Sequence, residues 1–163
     1  MNPRPTGHYQ GQHNRCTPEQ TLRYLSRLSG PFLDRFDLSL EIPLPPPGLL
    51  CQMQKTGEDS ATVRKRVMAA QGTQMARQNK LNAHLDNAEI RRFCQLEAED
   101  AKWLEETLTR FGLSVRAWQR LLKVARTIAD LEKCLNIERR HLQEALGYRA
   151  IDRLLQHLQK MLT

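Results

Sequence analysis

The stretch Ser114-Val115-Arg116-Ala117-Trp118-Gln119-Arg120-Leu121-Leu122-Lys123-Val124-Ala125-Arg126-Thr127-Ile128-Ala129-Asp130-Leu131-Glu132 decides how the rest of the chain is read. At about 100° per residue, Trp118, Leu121, Leu122, Ala125, Ile128 and Ala129 share one side of a helix. Arg116, Arg120 and Lys123 share the other. Ser114 is a capping residue, and the apolar side predicts a helix set into a core. The basic side reads as a solvated face at Arg120 and Lys123. Arg116 differs because it falls in the first helical turn. A cation there opposes the helix macrodipole at a cost of roughly 0.3–1 kcal/mol. Helix-start N–H groups beside a guanidinium make a phosphate site.

Working outward, the C-terminal two thirds of the chain reads as helices. One begins at Asp59 or Ser60 and runs to about Asn79, with Val63, Val67, Ala70 and Met75 as its weakly apolar side and Gly72 against its continuity. Asp86-Asn87-Ala88-Glu89 is a capping box that opens a short helix through Phe93. Further helices are predicted over Ala98 to Arg110, stopping at Gly112, and near 137–147 and 148–162. Towards the N-terminus, Thr17-Pro18-Glu19-Gln20 combines a cap, a proline at the first helical position and a box glutamine. Residues 1–16 read as a loop.

One segment breaks the helical pattern. Phe36-Asp37-Leu38-Ser39-Leu40-Glu41-Ile42 alternates apolar and polar, the signature of a strand, and the prolines from Pro43 to Pro47 stop it. A lone strand leaves backbone groups unpaired. Either it is an isolated extended segment packed on helices, or the chain is the C-terminal part of a larger α/β protein.

The 163 residues carry 25 Lys and Arg against 18 Asp and Glu, a net charge of +7. The excess is uneven: residues 1–58 carry +1 and residues 59–163 carry +6. That favours an anionic partner, whether nucleotide, nucleic acid or acidic protein. The longest uncharged stretch is broken by prolines, and no signal-peptide pattern opens the chain, so no membrane partner and a cytoplasmic location are expected. Cys16, Cys51, Cys94 and Cys134 form no CxxC and read as reduced thiols. His8, His13 and Cys16 lack a clear fourth ligand, so no metal site is assigned. Arg35 sits at the mouth of the strand, where a salt bridge to Asp34 or Asp37 is the ordinary reading. No G-x-x-x-x-G-K-[ST] phosphate loop, acidic magnesium-binding element or G-x-S-x-G nucleophile motif occurs.

Two longer stretches carry a family resemblance. Thr17-Pro18-Glu19-Gln20, leading through Arg23-Tyr24-Leu25-Ser26-Arg27-Leu28-Ser29-Gly30-Pro31-Phe32-Leu33-Asp34-Arg35-Phe36-Asp37, resembles the bacterial ComM/YifB proteins of the magnesium-chelatase-related AAA+ ATPases. Gly112-Leu113-Ser114-Val115-Arg116-Ala117-Trp118, continuing to Val124-Ala125-Arg126-Thr127-Ile128-Ala129-Asp130, resembles the C-terminal lid of the same family. The resemblance implies that Asn2 is the sensor-1 asparagine, Arg35 an arginine finger acting on ATP held by a neighbouring subunit, and Arg116 the sensor-2 arginine on ATP phosphates. Pro3-Arg4-Pro5-Thr6-Gly7 lacks the cysteines that many relatives carry after that asparagine.

The resemblance further implies a mainly α chain: a remnant of an AAA+ α/β core with one or two strands, then an all-helical lid. Residues 1–48 correspond to the end of the ATPase core, 49–84 to the proline linker and connecting helix, and 85–163 to the lid. ATP and Mg2+ are cofactors of the complete family protein. Its partners are nucleotide, the other AAA+ subunits of a hexameric ring, and DNA remodelled by branch migration in natural transformation. Tetrapyrrole metal insertion is not implied. A truncated protein of this kind, without its phosphate loop, is expected to be inactive alone. A non-catalytic helical module that binds such rings, and a small basic DNA-binding protein using Arg64, Lys65, Arg66, Arg77 and Lys80, stay open as alternatives.

Overall fold

Side chains of Thr17, Asp59, Asp86 and Ser114 cap the helices that follow them. In the computed structural model the described residues are 16–27, 32, 35–40, 42, 57–149, 154, 157, 160 and 161. The chain divides into two units, Met1–Gln54 with Arg149–Thr163, and Lys55–Tyr148. Helices account for nearly all the regular structure among the described residues, the mainly α class expected from periodicity.

In the first unit, α1 spans Pro18–Leu25. Thr17 Oγ1 accepts the Gln20 N–H at 3.2 Å and Gln20 Oε1 accepts the Thr17 N–H at 3.0 Å, closing the expected capping box. The helix buries Thr21 and Leu25. The alternating segment forms no strand among the described residues. Its described residues carry one isolated parallel bridge, from Ser39 to Arg149. Phe36, Leu38, Leu40 and Ile42 stay substantially exposed. Alternation alone makes no strand: without a neighbouring ladder along its length, one bridge is all that the described residues of this unit provide.

The second unit holds α2 (Ser60–Gln78), a 3-10 turn (Asn82–His84), α3 (Asn87–Phe93), α4 (Ala98–Arg110), α5 (Val115–Leu131) and α6 (Arg139–Gly147). Asp59 caps α2 through the Thr62 N–H at 2.7 Å, and Asn79 ends it in the left-handed region at φ 55°. Gly72 leaves α2 unbroken. Asp86 and Glu89 form the expected box at α3. Gly112 takes φ 60° to end α4, a conformation that glycine adopts without steric cost. The helix predicted over 148–162 falls largely outside the described residues.

Helix α5 is the centre of this unit and packs against α2, the 3-10 turn, α3 and α6. Leu121, Leu122, Ala125 and Ile128 from α5 join Leu104, Leu108, Ile137, Leu142 and Ala145 in one buried cluster. Each fully buried leucine contributes about 1.5–3 kcal/mol relative to exposure. Helix α2 is covered only over its second half. Ala70 and Gln74 are buried, whereas Val63 and Val67, on the same stripe, are exposed.

Candidate functional site at the ends of helix α5

The turn at Gly112 delivers Ser114 to the N-cap, where its Oγ accepts the Ala117 N–H at 3.2 Å. Arg116 follows in the first turn, exposed to solvent. Among the described residues its side chain makes no hydrogen bond or ion pair. A guanidinium and helix-start amides thus lie open at one end of α5. Beside them is a cleft of about 440 Å3, lined by Glu105, Leu108, Thr109, Leu113, Val115 and Trp118.

The polar side of α5 is not the solvated face that the sequence predicts. Lys123 is half-buried, and its Nζ donates to the Ala83 carbonyl of the 3-10 turn at 3.1 Å. One turn on, Thr127 Oγ1 accepts from Asn82 Nδ2 at 3.1 Å. Then comes Asp130, whose side chain is fully buried. Arg77, in the last turn of α2, donates to Asp130 Oδ1 at 2.6 Å and Oδ2 at 2.9 Å. Asn82 Nδ2 donates to Oδ2 at 2.8 Å, and Arg126 Nε to Oδ1 at 3.2 Å. The buried Arg126 also donates to the carbonyls of Leu135 and Cys134 at 2.8 and 2.7 Å. Burial is the largest influence on the Asp130 carboxyl and raises it. Hydrogen bonds from Arg77 and Asn82, with the charges of Arg126 and Arg77, outweigh burial and hold it below the usual carboxylate range. Sequence periodicity misses this network, because Arg126 lies just past the edge of the apolar face and Asp130 lies on the polar side with Arg116 and Lys123.

At the other end of α5, donor atoms of Glu132, Cys134 and His141 lie within 4.8 Å of one another. These ligand types suit zinc, but their hydrogen bonds do not. Buried His141 accepts the Glu138 N–H at Nδ1 (2.9 Å). The neutral ring, assigned from its bonds, therefore carries its proton on Nε2 and points it at Glu132 Oε2, 3.1 Å away. Nε2 then has no lone pair for a metal. Arg140 also places its NH2 group 3.2 Å from Cys134 Sγ and 3.3 Å from Glu132 Oε2, so a guanidinium already sits among these donors.

Arg35 belongs to the first unit and Arg116 to the second. Arg35 is exposed, and its N–H donates to the Phe32 carbonyl at 3.1 Å; the Phe32 and Phe36 rings meet edge to face at 5.2 Å. Asn2, His8, His13 and Asp34 lie outside the described residues. Of the cations considered for DNA, three face carboxylates: Arg66 forks onto Glu58 at 3.0 and 2.9 Å, Arg77 onto Asp130, and Lys80 reaches Glu89 at 2.6 Å. Arg64 and Lys65 are exposed. Among the described residues no helix is long and apolar enough to cross a membrane.

Residues 57–149 match the family model described as magnesium chelatase, subunit ChlI C-terminal, and residues 1–48 match that of magnesium chelatase, subunit ChlI. The chain is 74% identical to the YifB protein of Escherichia coli (strain K12) over all of its 163 residues, which are 32% of that protein. It is 72% identical to YifB of Salmonella typhimurium over 162 residues, 99% of this chain and 32% of the relative. It is 57% identical to the competence protein ComM of Haemophilus influenzae over 161 residues, again 99% of this chain and 32% of the relative. The chain thus spans about a third of the length of these curated relatives. With α2 to α6 under the C-terminal model and residues 1–48 under its companion, the chain belongs to the magnesium chelatase ChlI family, as a homologue of YifB and ComM.

Proposed function

We propose that this chain supplies nucleotide-sensing groups to a ComM/YifB-type ATPase that works as a ring of subunits. Arg116 contacts phosphates of ATP bound with Mg2+ in its own subunit. Arg35 reaches ATP in the neighbouring subunit, and Asn2 orients the attacking water. Cations placed this way stabilise charge on a transferring phosphoryl group. The observation that carries the reading is Arg116 itself, exposed in the first turn of α5 beside capped helix-start amides, where a cation opposes the helix dipole unless an anion joins it. The name of the Haemophilus relative, a competence protein, supports DNA as the material remodelled, by branch migration of incoming strands. Direct DNA binding by α2 is the weaker reading, since Arg66, Arg77 and Lys80 are engaged by carboxylates.

The test grafts residues 1–163 in place of the matching third of Escherichia coli YifB. The graft is expected to hydrolyse ATP. Arg116→Ala should raise its KM for ATP on the order of tenfold while leaving its melting temperature unchanged or slightly higher. Arg35→Ala should lower kcat instead. A graft without ATP turnover, or an Arg116→Ala graft that turns ATP over like its parent, overturns the reading.

A further inference from the structure

The polar stripe of α5 has two ends with different fates. At the N-terminal end Arg116 is open; at the C-terminal end Asp130 is buried and clamped. The two are 14 residues apart, which is about 21 Å along the axis and about 40° around it. Arg116 and Asp130 thus leave α5 on nearly the same side. Between them, Lys123 and Thr127 continue the stripe, and both are held by the 3-10 turn through the Ala83 carbonyl and Asn82 Nδ2. The clamp itself comes from α2, through the two-pronged Arg77 contact.

Apolar packing turns the buried face of α5 toward the core, but each contact between leucine and alanine surfaces lacks a direction, so it sets rotation and axial position only coarsely. The Arg77–Asp130 fork does have one. Its two parallel bonds set both the azimuth of α5 and its position along its own axis. The position matters most at the far tip, where a tilt of roughly 5° about Asp130 carries the Arg116 end through about 2 Å. That is enough to break a charge-assisted hydrogen bond to a phosphate.

We infer that Arg77 and Asp130 are a positioning pair for Arg116, registering α5 against α2 so that the guanidinium at the opposite end meets the phosphate. The inference rests on the reading of Arg116 as a phosphate contact. Helix α2 is the first element of the region matched by the C-terminal family model, and the chain enters that region through it. Register fixed at Arg77 therefore passes directly to Arg116.

The experiment uses the same graft into Escherichia coli YifB and measures KM and kcat for ATP with Arg77→Met, Arg116→Ala and the double variant. Arg77→Met keeps an apolar stem and leaves Asp130 bonded to Arg126 and Asn82. It should raise KM on the order of tenfold, as far as Arg116→Ala does. The double variant should be no worse than Arg116→Ala alone, since a positioning pair has nothing left to position. Arg77→Lys, which keeps the charge opposite Asp130 and holds the fold if Arg77→Met does not, should bring KM back most of the way to the parent. An Arg77→Met graft with the parent KM, or losses that multiply in the double variant, overturns this inference while leaving the phosphate contact standing. An Arg116→Ala graft with the parent KM overturns both.

Discussion

Arg77 and Asp130, 53 positions apart in the chain, meet through two bonds of 2.6 and 2.9 Å that join the last turn of α2 to the last turn of α5. The same carboxylate accepts from Arg126 and Asn82, so a single negative charge serves two guanidinium groups.

Removing that charge should be costly. Asp130→Asn leaves Arg126, whose side chain is only 4% exposed, without its counter-ion. A loss of about 3–5 kcal/mol is expected, as for other buried pairs broken on one side. Urea unfolding at neutral pH reads it directly, and an unchanged midpoint would refute it. The pH dependence has a definite sign. The folded carboxyl is held below its unfolded value of about 3.9, so its contribution is complete above that pH. It disappears as pH falls through the lowered folded value. Acid unfolding of the parent should therefore be steeper below about pH 4 than that of Asp130→Asn.

Two glycines should respond in opposite directions to the same substitution. Gly72 lies inside α2 with open space where a Cβ would go, so Gly72→Ala should stabilise by about 0.5–1 kcal/mol. Gly112 also has open space, but its φ of 60° strains any side chain; Gly112→Ala should destabilise by about 1 kcal/mol. Thermal melts of the two variants check the pair, and shifts of the same sign would contradict it.

Zinc should not stabilise the protein through Glu132, Cys134 and His141. The Glu138 N–H fixes the His141 tautomer with its proton on Nε2, and Arg140 occupies the space among the donors. Melting curves with and without Zn2+ should coincide. A rise in melting temperature that Cys134→Ser abolishes would show that the cluster rearranges to take a metal.

Cys94 should resist thiol reagents until the chain unfolds. Burial pushes its thiol up to about 11, and the nearby charges of Arg126 and Arg77 offset only part of that. At pH 8 about one molecule in a thousand is then thiolate. Cys134 is partly exposed and should be alkylated first. Mass mapping of brief alkylation in the folded state decides this, and equal labelling of the two would be inconsistent with the packing around Cys94.

Local chemistry explains what was legible in advance. Thr17, Asp59, Asp86 and Ser114 each cap a helix by bonding an amide two or three residues on, so neighbouring letters suffice to find them. The apolar face of α5 was legible for the same reason. Periodicity failed where partners come from far along the chain. Lys123 looked solvated, yet its partner is a carbonyl 40 residues earlier. Arg126 and Asp130 carry charges that normally mark a surface; Arg77 and Asn82, brought in from α2 and the 3-10 turn, make the burial of Asp130 tolerable, and the Cys134 and Leu135 carbonyls do so for Arg126. The alternation at 36–42 signalled a strand, but a ladder needs a second segment that alternation cannot specify. Arg116 was legible as a candidate because its helix start was.

The corner after α5 closes without a glycine. Lys133 takes the left-handed turn at φ 61°, while the Cys134 N–H donates to the Ala129 carbonyl at 2.8 Å. Arg126 reaches across to hold the Cys134 and Leu135 carbonyls from inside the core. The bend is thus written into a helix residue rather than into the bend itself. Anchorage of this corner therefore depends on a buried guanidinium eight or nine residues earlier in the chain, and not on the exposed side chain of Leu135.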